Sequence, residues 1–332
     1  MILNNSYKNS KHKEDINFKK TKMINLLLLI LLFNLVFSEE NKIRKLSFPE
    51  YEINLAIKGD GNQNFLNEDF LYEPSEIYIN GNKISQITFS YSFQGDMNNV
   101  TLIWNYAFSN FSHMFQNVNS MVTINFSNFN NSNITSMESM FLSCINLESI
   151  NFNDFDTSQV TNMGGLFKSC NKLKSLDISQ FNTSSVVNMQ GMFMYCNELI
   201  SLNLNHFTTS NVINMKDMFN QCKKLSFLKM DNFNISSATE LNAMFYNCIE
   251  LTSLNLSSFR TSLVNNTNNM FNGCQKLEFL DLSNFEASLV VDMNKMFRGC
   301  KNLKSLNIKS FDTRSVTDMR DMFHGCNSLI SL

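Results

Sequence analysis

The sequence predicts an α/β fold, a right-handed solenoid with one short parallel strand and one short helix in each 26-residue unit, preceded by a small N-terminal β cap. Three observations lead there. The pair Met-Phe recurs at 114/115, 140/141, 192/193, 218/219, 244/245, 270/271, 296/297 and 322/323, and Leu166-Phe167 completes the series without an insertion or deletion. All eight cysteines, Cys144, Cys170, Cys196, Cys222, Cys248, Cys274, Cys300 and Cys326, fall three residues after that Phe, with Val118 in the same place of the first unit. Residues 49 to 108 lack the period and alternate apolar with polar residues instead. A fixed period of about 20–50 residues marks an array in which each unit buries its apolar face against its neighbours.

Residues 1–38 read as a targeting segment. The run LLLLILLFNLVF at 26–37 follows Lys19, Lys20 and Lys22 and is too short to span a bilayer, which suits the apolar part of a secretory signal. Val36 and Ser38 occupy the small-residue positions of a cleavage site, so cutting is expected after Ser38. Met23 begins a signal of more usual length and is an alternative start, and an uncleaved anchor over residues 24–37 is the other reading. Both place the rest of the chain outside the cytosol. Sequons at Asn99, Asn110, Asn125, Asn130, Asn133, Asn182, Asn234, Asn255 and Asn265 fit that route, although an Asn-rich chain produces some by chance.

The second domain, 39–113, is the β-rich cap. Ile53, Leu55 and Ile57 alternate, Asn80-Gly81 marks a hairpin turn within EIYINGNKIS, and NVTLIW ends on Trp104, the only Trp, which is expected to anchor the cap. The third, 114–332, is the array. Leu173-x-x-Leu176-x-Ile178 has the spacing of a leucine-rich repeat strand, with Lys174, Ser175 and Asp177 facing out. Phe155, Phe181, Phe207, Phe233, Phe259, Phe285 and Phe311 hold one position in successive units and are expected to form an aromatic spine in place of an Asn ladder. Thr183-Ser184 and its equivalents suit a helix N-cap, and Val186, Met189, Met192, Phe193 and Cys196 follow at helical spacing. Gly273, Gly299 and Gly325 suit a left-handed turn at the helix end. Thr267 and Ala238 interrupt the apolar stripe and make 238–270 the expected weak stretch.

The unit LxSLxLxxFxTSxVxNMxxMFxxC resembles the repeat of the BspA-like leucine-rich repeat surface proteins, including the variant first catalogued in mycoplasma lipoproteins as a domain of unknown function. The resemblance covers about 114 to 332. It implies a secreted or surface-displayed array, in several members linked to adhesion or host-protein binding, and it supplies no catalytic residues.

Composition narrows the chemistry. With 27 Lys+Arg against 29 Asp+Glu the chain carries a net charge of −2, which argues against a nucleic-acid partner. An even number of cysteines in a secreted chain leaves two readings open, bridges between adjacent units such as Cys144 to Cys170 or a ladder of buried free thiols, and the strict equivalence of the units favours the second. Zinc lacks paired ligands, the four histidines suggest no triad, and Gly59-Asp60-Gly61 reads as a turn rather than a calcium loop, so neither metal, cofactor nor enzyme activity is expected.

What remains is the concave strand face. Its outward positions are mostly small and polar, but Phe227 and Phe279 replace Ser two units apart, about 10 Å by strand spacing. With Lys229, Asp281 and Asn255 they form the candidate binding patch for an extracellular protein or glycan. The alternative is a structural or matrix component that self-associates end to end through the solenoid ends.

Overall fold

The structure is a computed structural model and describes residues 51–129, 133–153 and 155–332. The targeting segment, its two candidate starts, the cut after Ser38 and the sequon at Asn130 lie outside the described residues. Glu50–Leu332 forms one compact unit.

The alternation at Ile53, Leu55 and Ile57 is the buried face of strand β1, Tyr51–Lys58. It is followed by β2 (Gly61–Asn64), β3 (Glu76–Ile79), β4 (Asn82–Lys83), β5 (Ser90–Phe93) and β6 (Met97–Trp104). Asn80 and Gly81, with φ of 50° and 82°, make the two-residue turn between β3 and β4, the left-handed pair that a tight hairpin requires. β1 is antiparallel both to β6 and to β7, Met121–Phe129, and β7 pairs in parallel with β8, Ser149–Asn151. The six-stranded sheet in the order β4-β3-β6-β1-β7-β8 therefore runs from the N-terminal module into the first two repeats. Trp104 is fully buried against Phe108 and Phe129, and its indole N–H donates to the Tyr72 carbonyl at 3.0 Å.

Beyond that sheet the strands are triplets: β9 (Ser201–Asn203), β10 (Phe227–Lys229), β11 (Phe279–Asp281) and β12 (Ser305–Asn307). β9 pairs with β10 and β11 with β12, both in parallel, while 175–177 and 253–255 form no strand. The expected continuous parallel sheet is thus a set of small sheets. The second gap falls inside the stretch that Thr267 and Ala238 single out, although both residues are buried and the Thr267 hydroxyl donates to the Asp292 carbonyl at 3.4 Å.

The expected right-handed α/β solenoid with a helix in each unit is not the architecture. Among the described residues there is no α-helix, because the backbone N–H groups of the supposed helix are bonded elsewhere. Met189, Gly191, Phe193 and Tyr195 donate to the carbonyls of Asn214, Lys216, Met218 and Asn220, each 25 residues on, at 2.8–3.0 Å. The residues between them close four-residue turns: Met192 N–H to Met189 O at 3.2 Å, Met194 to Gly191 at 3.0 Å, Cys196 to Phe193 at 3.1 Å. An α-helix needs each N–H on the carbonyl four residues earlier, and two left-handed residues per unit forbid it. Here they are Gly191 and Tyr195, with φ of 58° and 62°; elsewhere they include Gly165 and Ser169, Asp217 and Gln221, and Asn269 and Gly273. Gly273, Gly299 and Gly325 do turn left-handed, but no helix precedes them.

Side chains hold this ladder in register. Parallel bridges join Asn110, Ser136, Asn162, Asn188, Asn214, Glu240, Asn266, Asp292 and Asp318 in succession. The side-chain oxygens of Asn162, Asn188 and Asn214 each accept the N–H two residues ahead, at 2.9–3.0 Å, a local turn that competes with helix. An Asn/Asp row therefore exists, at a different position from the one where the aromatic spine was expected to replace it. The threonines do not cap helices either. Thr183 is buried, and its hydroxyl donates to the Thr208 carbonyl at 2.9 Å while accepting the Thr208 N–H at 2.8 Å.

The core follows the same register. Phe155, Phe181, Phe207, Phe233, Phe259 and Phe285 are buried and Phe311 is partly so. The ring stack, however, runs through the other phenylalanine row. Phe115, Phe141, Phe167, Phe193, Phe219, Phe245, Phe271, Phe297 and Phe323 lie nearly parallel with centroids 5.5–5.8 Å apart.

Candidate functional site

β10 and β11 each put their middle residue inside and their outer two in solvent, so the residues on either side of Leu228 and Leu280 are free of packing duty. Phe227 is 56% exposed and Phe279 60%. They stand on separate two-stranded sheets with the strandless 253–255 between them. Phe227 and Lys229 share the outer face of β10. Lys304 covers part of the second ring, its Nζ 5.9 Å from the centroid of Phe279, and is held by Glu278 at 2.8 Å. It thus joins that half of the patch.

The position of Lys229 has a structural rule. In seven of the eight equivalent positions, Asn125, Asn151, Asp177, Asn203, Asn255, Asp281 and Asn307, the side-chain oxygen accepts the N–H two residues on, at 2.9–3.4 Å. Lys229 has no acceptor to offer. The missing bond comes from the preceding unit, where Asn205 Oδ1 accepts the Asp231 N–H at 2.9 Å. The Asp231 carboxylate then receives Asn205 Nδ2 at 3.0 Å and Asn255 Nδ2 at 2.8 Å. Those two amides, with Lys229 nearby, hold its carboxyl below the usual range. Asn255 is thereby tied to the Lys229 unit. Asp281 instead turns on Ser283, whose backbone N–H it accepts, and its pKa is lowered mainly by that contact.

The thiols are free rather than bridged, with seven buried and Cys326 half-buried. Each donates to a backbone carbonyl 29 residues earlier, from Cys144 on Phe115 at 3.0 Å to Cys326 on Phe297 at 3.0 Å. Burial pushes Cys196 and Cys274 up to about 12, and every other thiol is also raised by desolvation, the opposite of an activated nucleophile. Among the described residues no group of three or more His, Cys, Asp and Glu could hold a metal ion, and no helix is long and apolar enough to cross a membrane. His206 Nε2 bonds the Ile178 carbonyl at 2.8 Å and His113 Nδ1 bonds Gln116 Oε1 at 2.5 Å, so the two rings are engaged locally.

Units hydrogen-bonded one to the next at a constant offset, with a ring stack and a thiol row in register, define a tandem-repeat protein. The chain belongs to the family described as Mycoplasma protein of unknown function, DUF285, whose model matches residues 109–227, 198–279 and 225–331. No curated protein and no solved structure matches it.

Proposed function

We propose that this chain is a secreted or cell-surface binding protein that holds a protein or glycan partner on the outer face of its strands, with Phe227 and Lys229 at the centre of the contact. One observation carries the reading. In a single strand two repeat positions depart together, Ser to Phe at 227 and Asn/Asp to Lys at 229, and the local turn is kept only because Asn205 reaches across from the neighbouring unit. An exposed aromatic beside a cation that forms no salt bridge among the described residues offers apolar area with an orienting charge, the composition of an interface anchor. The resemblance to BspA-like surface proteins supports the adhesive reading, and the signal-like run at 26–37 supports its location.

The test is to probe an array of extracellular proteins and glycans with the full chain and with Phe227→Ala and Lys229→Asn. Saturable binding weakened by both substitutions supports the reading. Binding indifferent to both, or none at all, overturns it.

A further inference from the structure

We infer that the face of the first repeat turned toward the N-terminal module is a slot for a peptide that takes the turned backbone of a repeat, recognised through that backbone. Throughout the array, carbonyls at alternate positions accept N–H groups from the unit before: Asn188 O takes Met163 N–H at 2.9 Å, Gln190 O takes Gly165 at 2.8 Å, Met192 O takes Phe167 at 2.9 Å and Met194 O takes Ser169 at 2.7 Å. In the first repeat the equivalent carbonyls belong to Asn110, Ser112, Met114 and Gln116, and no repeat precedes it.

Asn67 stands in for half of that missing neighbour. Its backbone N–H donates to Met114 O at 2.9 Å and its side-chain amide to Gln116 O at 3.2 Å. Asn110 O and Ser112 O receive no hydrogen bond from any described residue. Beside them lies a cavity of about 440 Å³ between 67–72 and 110–117, walled by Leu71, Tyr72 and His113, within the roughly 300–1,000 Å³ of ligand pockets. Leu71 is 82% exposed at its rim.

Two acceptors two residues apart, in register with a third already filled by a peptide N–H, are the pattern that the turned segment of a preceding unit fills elsewhere in the array. A peptide in that conformation donates there at alternate residues, and its intervening side chain meets Leu71 and Tyr72. This slot lies apart from the Phe227 patch, so either reading can fail alone.

The probe is a labelled synthetic peptide of residues 185–192, SVVNMQGM, whose Met189 and Gly191 amides fill the matching positions inside the array and whose Gln190 stands between them. Titrated against the full chain, it binds saturably. N-methylation of those two amides removes two hydrogen bonds and weakens binding about thirtyfold. Leu71→Asp, an exposed change that leaves the fold intact, also weakens it. Equal binding of the N-methylated peptide, or no binding up to about 1 mM, overturns the proposal. So does Leu71-dependent binding of neutral oligosaccharides without peptide binding, which assigns the slot to a glycan.

Discussion

The thiol of Cys196 donates to the backbone carbonyl of Phe167 at 3.1 Å, and the same carbonyl accepts the N–H of Cys170, also at 3.1 Å. A buried carbonyl has two lone pairs and the turn uses one. The cysteine of the next unit supplies the second donor, small enough to fit the apolar stripe. This explains why one residue type recurs at that place, a row that needs reduced thiols.

Denatured without reductant, the chain should therefore alkylate at all eight cysteines, with mass spectrometry as the readout. In the native state Cys326, the half-buried one, should label first and the other seven should resist.

Stability should fall in base. A thiol whose folded pKa is raised to about 12, as for Cys196 and Cys274, stays protonated when the unfolded chain, near its ordinary 9, has lost the proton. The unfolded state then binds fewer protons, so stability is full below pH 9 and declines from there toward pH 12. Urea midpoints followed by circular dichroism should drop over that window, and replacing Cys196 and Cys274 with Ala should flatten the slope.

Phe219 stacks on Phe193 and Phe245, both at 5.6 Å, and is fully buried. Phe219→Ala should destabilise the array by about 3–5 kcal/mol through the cavity it leaves. Since units contact only their neighbours, limited proteolysis should cut near that unit first.

Thr183→Val should cost about 1–3 kcal/mol by leaving the Thr208 N–H and carbonyl without the hydroxyl. Thr183→Ser should recover most of it. An N-capping role would not predict dependence on residue 208, so amide exchange at Thr208 separates the two.

Lys229→Asn should leave stability unchanged or raise it by up to about 1 kcal/mol, since the new side chain can accept the Asp231 N–H as its seven equivalents do. Equilibrium unfolding measures this. The same substitution should weaken binding, separating a contact residue from a structural one.

The period, the cysteine row, the buried stripe and the cap strands were legible because the spacing of residues along the chain displays them. The helix was misread because Val186, Met189, Met192, Phe193 and Cys196 fit helical spacing and are all buried, yet burial at those intervals is equally met by successive turns. The contrary signal was present. Residues that tolerate positive φ stand four apart in some units, as His113 with Asn117, Asn269 with Gly273 and Asp321 with Gly325, and β-branched Thr161, Val187 and Ile213 precede the Asn row. Val187 and Ile213 donate across to the carbonyls of Thr161 and Val187 at 2.8 and 2.9 Å, which favours extended backbone.

The site was half legible. Phe227 and Phe279 stood out as departures from Ser, but the meaning of Lys229 depended on knowing that its equivalents close a turn. The open acceptors of Asn110 and Ser112 leave no trace in a sequence, since every residue has a carbonyl.

The central claim is that each unit binds the next through backbone rather than folding its own helix. A through-hydrogen-bond scalar coupling from the Phe193 amide nitrogen tests it most directly. The structure predicts coupling to the carbonyl of Met218, 25 residues on. Coupling to the carbonyl of Met189, four residues back, would restore the helix and contradict the account.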